Sequence, residues 1–150
     1  MATLGTFTAG QVLTAAELNA IGTWTAFTPS FTNFTLGNGT IQEAVYLQVN
    51  QLVYVNVYVT LGSTSVMGSN PSFTAPVTIG GGAARLSSGT GRARIASFYW
   101  LYPYISAEDV LMYCVGTSTT YATRQSVSST VPATWGNGDD FQVSLVYHIE

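Results

Sequence analysis

Apolar and polar residues alternate most regularly between Leu52 and Leu61. Val53, Val55, Val57, Val59 and Leu61 fall on one side of an extended chain, and Leu52, Tyr54, Asn56, Tyr58 and Thr60 on the other. That two-residue period predicts a strand with a core-facing valine side. The run Thr40–Val49 before it predicts a partner strand, joined through Asn50-Gln51 in a hairpin. Further extended segments are expected at 24–35, 72–79, 93–102, 110–117, 121–127 and 141–149, rich in Thr, Val, Tyr and Phe. Pro29 marks an edge or a bend in the first of these. Turns are expected at Gly37-Asn38-Gly39, Gly80-Gly81-Gly82, Gly89-Thr90-Gly91 and Gly136-Asn137-Gly138, with a loop over 62–71. Eight or so strands without a repeat of fixed period predict an all-β fold, a single β-sandwich or jelly-roll-like domain over 23–150.

Only the beginning of the chain breaks this pattern. Thr14-Ala15-Ala16-Glu17 is a capping box: the Thr14 hydroxyl can accept the Glu17 amide proton while the Glu17 carboxylate reaches back to the Thr14 N–H. Leu13 and Leu18 fall at the staple positions and Gly22 supplies a stop, which predicts a helix over 15–21. That is well below the ~12–15 residues an isolated helix needs in water. Residues 1–22 therefore read as a docking arm, with Val12, Leu13, Leu18 and Ile21 as its contact residues.

Composition narrows the function classes. The 150 residues suit one domain, and 47% hydrophobic with 13% aromatic residues excludes disorder. Charged residues make up only 7%, against roughly 25% in ordinary globular proteins. The basic residues are Arg85, Arg92, Arg94 and Arg124, there is no lysine, and the net charge is −3, so no nucleic-acid partner is expected. A lone cysteine, Cys114, excludes an intramolecular disulfide and a multi-cysteine zinc site. Residues 44–84 carry no charge, yet polar residues interrupt every window of the ~18–20 apolar residues a spanning helix needs. Strand alternation alone would fit a small outer-membrane barrel. The opening residues hold no secretory signal, and no membrane partner is expected.

The tyrosine side of the 52–61 strand is unusual in lacking charge. It is expected to continue across the hairpin with Tyr46 and Gln48 or with their neighbours, depending on register. Tyr46, Tyr54 and Tyr58 would bring large apolar area with a polar tip, the type enriched at interfaces. Covering them would contribute several kcal/mol at roughly 25 cal/mol per Å². A partner protein, or a second layer of the same chain, would each satisfy that face.

Catalytic chemistry finds little support. His148 is the only imidazole, on the outward side of the last strand with Gln142, Ser144 and Val146. Pairing it with Cys114 as nucleophile has no motif behind it. The doublets Glu108-Asp109 and Asp139-Asp140 point opposite ways on an extended chain, unlike a glycosidase pair. Asn137, Asp139 and Asp140 could offer oxygens to calcium, but the full ligand loop is missing. The glycine clusters lack a phosphate-loop context. The arginine cluster could meet acidic groups on a neighbouring subunit. The sequons at Asn33 and Asn38 carry weight only in a secreted protein. No enzyme activity, metal or cofactor is expected. Tyr99, Trp100, Tyr102 and Tyr104 are candidate ligand-facing aromatics able to stack on sugar rings.

The run Phe7-x-x-Gly10-x-x-Leu13-Thr14-Ala15-x-x-Leu18-Asn19-Ala20 resembles the segment that opens many small tailed-bacteriophage virion proteins. Trp24-Thr25-Ala26-Phe27-Thr28-Pro29 is similar to the stretch that follows it there. Ser129-Thr130-Val131-Pro132-Ala133-Thr134-Trp135 through Asp140 is similar to the family's segment before its last strand. Residues 80–121 match no shared motif. The resemblance implies a non-enzymatic virion structural protein, a homotrimer in that family's manner, attached through its arm to another virion protein. The attachment would be to the capsid, as decoration or head fibre, or to the tail. The alternative is a receptor- or carbohydrate-binding tail-fibre tip that meets a host surface glycan.

Overall fold

The computed structural model describes residues 10, 12, 14–15, 22–79, 87–106, 108–116 and 122–149. Its strands are β1 (Thr25–Ala26), β2 (Phe31–Thr35), β3 (Thr40–Val49), β4 (Leu52–Thr60), β5 (Val66–Thr74), β6 (Ser87–Ile95), β7 (Ser97–Ser106), β8 (Asp109–Gly116), β9 (Thr123–Ser126) and β10 (Asp140–His148). They pair antiparallel in the order β1-β3-β4-β10-β6-β7-β8-β5-β2, and β9 joins β8 beyond β5. The protein is all-β, as the alternation requires. The helix expected over 15–21 lies, apart from Ala15, outside the described residues. Among the described residues no helix is long and apolar enough to cross a membrane.

The sheet curls because one short segment ties its two ends together. β1 and β2 stand at opposite ends of the strand order, but only residues 27–30 separate them. The Phe27 N–H donates to the Ala44 carbonyl on β3 at 3.0 Å, and the Ser30 carbonyl accepts from the Thr74 N–H on β5 at 2.9 Å. Pro29, at the crossing, is buried and asks for no donor partner. The curl brings Phe34 of β2 edge-on to Phe141 of β10, with ring centres 5.6 Å apart. Trp135 meets the same Phe141 ring at 6.3 Å.

One core fills the curl. Val53, Val55, Val57 and Val59 of β4 and Phe141, Val143, Leu145 and Tyr147 of β10 are all essentially fully buried, alternating with half-exposed neighbours. Leu101 and Ile105 of β7 and Val110, Met112 and Cys114 of β8 complete it. The Tyr147 hydroxyl reconciles its burial by donating to the Val77 carbonyl at 3.0 Å and accepting the Val77 N–H at 3.2 Å.

Several expected boundaries change. Asn50, at φ 53°, makes the β3–β4 hairpin turn as expected. The expected loop over 62–71 ends early, because β5 begins at Val66 and pairs Val66 and Met67 with Thr35 and Phe34. Gly89-Thr90-Gly91 is no turn but the middle of β6. A Cβ on Gly89 would stand 2.5 Å from the Ser144 carbonyl and 2.6 Å from Pro103, so glycine is needed for close strand packing rather than for bending. The single extended segment expected over 93–102 is two strands, broken at Ala96, which takes φ 56°. Gly80-Gly81-Gly82 lies outside the described residues.

Candidate functional site

The register of five strands assembles the outer face of the sheet. Because β10 inserts between β4 and β6, Glu43, Tyr58, Gln142, Arg92 and Trp100 become cross-strand neighbours in one row. The next row holds Val45, Asn56, Ser144 and Thr90, and the one beyond it Leu47, Tyr54, Val146 and Ser88. On the other side of the first row, Thr60, Asp140, Arg94 and Phe98 line up. Alternation along each strand thus grades this face from apolar to polar to charged.

Two adjoining grooves run across it. The larger, about 440 Å³, lies among Trp24, Glu43, Val45, Tyr54, Asn56, Gln142 and Ser144. The smaller, about 190 Å³, shares Gln142 and Ser144 and extends to Thr90, Arg92 and Trp100. Asn56 is the hub of the floor. Its amide donates to Glu43 Oε2, and its Oδ1 accepts from the Ser144 hydroxyl at 2.9 Å and from Gln142 Nε2 at 3.4 Å. Arg92 Nε donates to Gln142 Oε1 at 3.5 Å, a long bond, while its guanidinium lies 5.6 Å from the Phe98 ring centre and 6.0 Å from that of Tyr58. Trp24 meets Tyr54 edge-on at 5.4 Å.

Beside the grooves, β7 presents a row of exposed rings. Phe98 is 68% exposed and Trp100 72%, and Tyr102 and Tyr104 are each 44% exposed. Arg124 of β9 covers part of this row, 4.1 Å from the Tyr113 ring centre and 5.3 Å from that of Tyr104. Large side chains bared in one line are the informative departure from ordinary surface, where single apolar residues are scattered.

The sequence-derived candidates divide accordingly. Trp100, Tyr102 and Tyr104 are outward and exposed, as a ligand-facing set would be. Tyr99 is not one of them: it pairs with Ala93 and packs half-buried against the core. Tyr54 and Tyr58 lie on the outer face, but Tyr46 pairs with Val55 on the valine side and meets Phe27 edge-on at 6.0 Å. The outer face continues across β3 with Leu47 and Val45 instead. Nor is that face free of charge, since a register shift at 41–43 brings Glu43 onto Asn56. Val12 is 85% exposed, while Leu13, Leu18 and Ile21 of the proposed arm lie outside the described residues. Trp24, Glu43, Asn56, Gln142, Ser144, Arg92 and Phe98 were absent from the candidate site. The outward position of Asn56, Gln142 and Ser144 was readable in the alternation, but the insertion of β10 that joins them to the others was not.

Among the described residues, acid–base and nucleophilic groups do not converge. Cys114 is buried in the core, and that burial pushes its thiol above the ordinary range. His148 stands on the opposite side of the sheet, with Nε2 3.1 Å from Gln51 Oε1. Asp139 accepts the Gly136 N–H at 2.6 Å, whereas Asp140 turns to Arg94, whose Nε lies 2.6 Å and Nη2 2.5 Å from Oδ2. Asp140 is 1% exposed and its Oδ1 has no hydrogen-bond partner among the described residues. Among those residues no group of three or more His, Cys, Asp or Glu side chains comes together. Compared with known proteins, the chain matches no family model, no curated protein and no solved structure.

Proposed function

We propose that this chain is a non-enzymatic structural module of a tailed-bacteriophage virion. Its N-terminal arm docks on a capsid or tail protein, and the β domain packs against further copies of the same chain, with a homotrimer as the expected assembly. The observation that carries the reading is the row Phe98, Trp100, Tyr102 and Tyr104, four large rings laid bare side by side on one strand of the β fold. Covering about 100 Å² on each ring would contribute on the order of 10 kcal/mol, comparable to the ~4–15 kcal/mol that association costs. The row is therefore the contact between copies, and a separate attachment through Val12, Leu13, Leu18 and Ile21 fixes the module to the virion. The N-terminal resemblance to virion proteins points the same way.

Deleting residues 1–22 tests the arm. Tagged full-length chain supplied during phage assembly should appear on purified particles, and the deletion should abolish that while leaving the β-sheet circular dichroism unchanged. Equal incorporation of both forms would refute the role of the arm. A second reading, a receptor- or carbohydrate-binding fibre tip, is favoured by one observation: the polar groove that ends against Trp24 and Trp100.

A further inference from the structure

The groove floor has an unusual mixture of hydrogen-bonding senses for a sheet face. Glu43 only accepts, Arg92 only donates, and Asn56, Gln142 and Ser144 do both. The matching ligand must offer donors and acceptors at short intervals, as hydroxyl groups do. Trp24, 49% exposed, stands at one end and Trp100 at the other, each giving a flat apolar surface beside the polar floor. From β3 to β7 the groove crosses four inter-strand spacings of ~4.8 Å, about 19 Å in all, too long for a single small molecule and suited to several linked rings.

Other occupants fit less well. β4, β10 and β6 are hydrogen-bonded on both sides, so their backbone has no edge at which a peptide could add as a strand. The net charge of −3 and the carboxylate of Glu43 oppose a polyanionic chain. An apolar ligand would strip water from the amides of Asn56 and Gln142 without replacing it.

We propose that the groove between Trp24 and Trp100 binds an uncharged, extended oligosaccharide, its hydroxyls engaged by Glu43, Asn56, Gln142 and Ser144 and its rings set against the two indoles. This rests on the second reading above and gives it a site. That site differs from the β7 row, of which only Trp100 borders the groove.

The test is a printed array of neutral and acidic oligosaccharides of about three to five rings, matched to the ~19 Å span, probed with the full chain. Titration calorimetry follows with the neutral glycan bound best. Trp24→Ala and Gln142→Ala should each weaken binding at least about tenfold, with thermal midpoints close to that of the unchanged chain. Tyr102→Ser and Tyr104→Ser should leave the affinity as it was. The proposal is overturned if no neutral glycan binds at millimolar concentration, if only acidic glycans bind, or if folded Trp24→Ala and Gln142→Ala variants bind normally. Binding lost only in the Tyr102 and Tyr104 variants would also overturn it, by moving the site to the aromatic row. Particle incorporation is scored independently of these results; glycan binding by the full chain would confine the contact between copies to Phe98, Tyr102 and Tyr104, because Trp100 must then stay open.

Discussion

Replacing Tyr147 by Phe removes one oxygen from the fully buried side of the sheet and leaves the ring in place. That oxygen bridges both backbone polar groups of Val77, 70 positions away in sequence, and fastens residues 75–79 to β10. Losing a net hydrogen bond costs about 1 kcal/mol, and each buried group left without a partner about 1–3 kcal/mol more. Val77 is half-buried, so water recovers part of this, and we expect a loss of about 1.5–3 kcal/mol at neutral pH. Burial pushes the Tyr147 phenol up to about 12; the Val77 backbone hydrogen bond opposes the shift and the nearby Tyr46 adds to it. In the unfolded chain the phenol titrates near 10. Its contribution to stability is therefore complete below pH ~10 and disappears as pH rises to about 12. At ~1.4 kcal/mol per pH unit, about 2–3 kcal/mol would be lost over that window. Urea unfolding followed by tryptophan fluorescence, for both proteins from pH 7 to 12, measures the difference directly. A loss below about 0.5 kcal/mol at pH 7, with parallel alkaline limbs for the two proteins, would refute the bridge and its buried phenol.

Gly89→Ala should destabilise by at least about 2 kcal/mol, since its Cβ would press on the Ser144 carbonyl and the Pro103 ring; denaturant melts would show it, and a neutral result would mean β6 can move away from β10. Ala96→Gly should stabilise by about 0.5–1 kcal/mol by relieving a positive φ at the β6–β7 turn, read as a higher thermal midpoint. Asp140→Asn should cost about 1–3 kcal/mol, less than a wholly buried pair because the Arg94 side chain stays 53% exposed; an unchanged midpoint would show that the pair contributes nothing.

The local pattern carried the strands, and the wide pairings decided the rest. Val53 through Val59 alternate so regularly that β4, its core side and its hairpin with β3 were legible from spacing alone. β6 was not, because Gly89 and Gly91 look like turn residues in sequence and act as spacers against β10 only once that strand is inserted beside them. Tyr46 shows the same dependence on register: shifting the hairpin pairing by one residue would have moved it to the tyrosine face. For the groove, Asn56, Gln142 and Ser144 were each visibly outward, yet they are distant in sequence and come together through a nonlocal pairing. Trp24 joins them only because the chain enters the sheet over Tyr54. The exposed β7 row was half legible: Trp100, Tyr102 and Tyr104 share a two-residue period, which also includes Phe98 and excludes Tyr99.

Sedimentation velocity of the purified full chain tests the central claim, that its bared aromatic row is covered by copies of itself. The unchanged chain should sediment as a trimer over the micromolar range, and the double variant Tyr102→Ser with Tyr104→Ser as a folded monomer. A monomer at every concentration, identical for both proteins, would contradict the account.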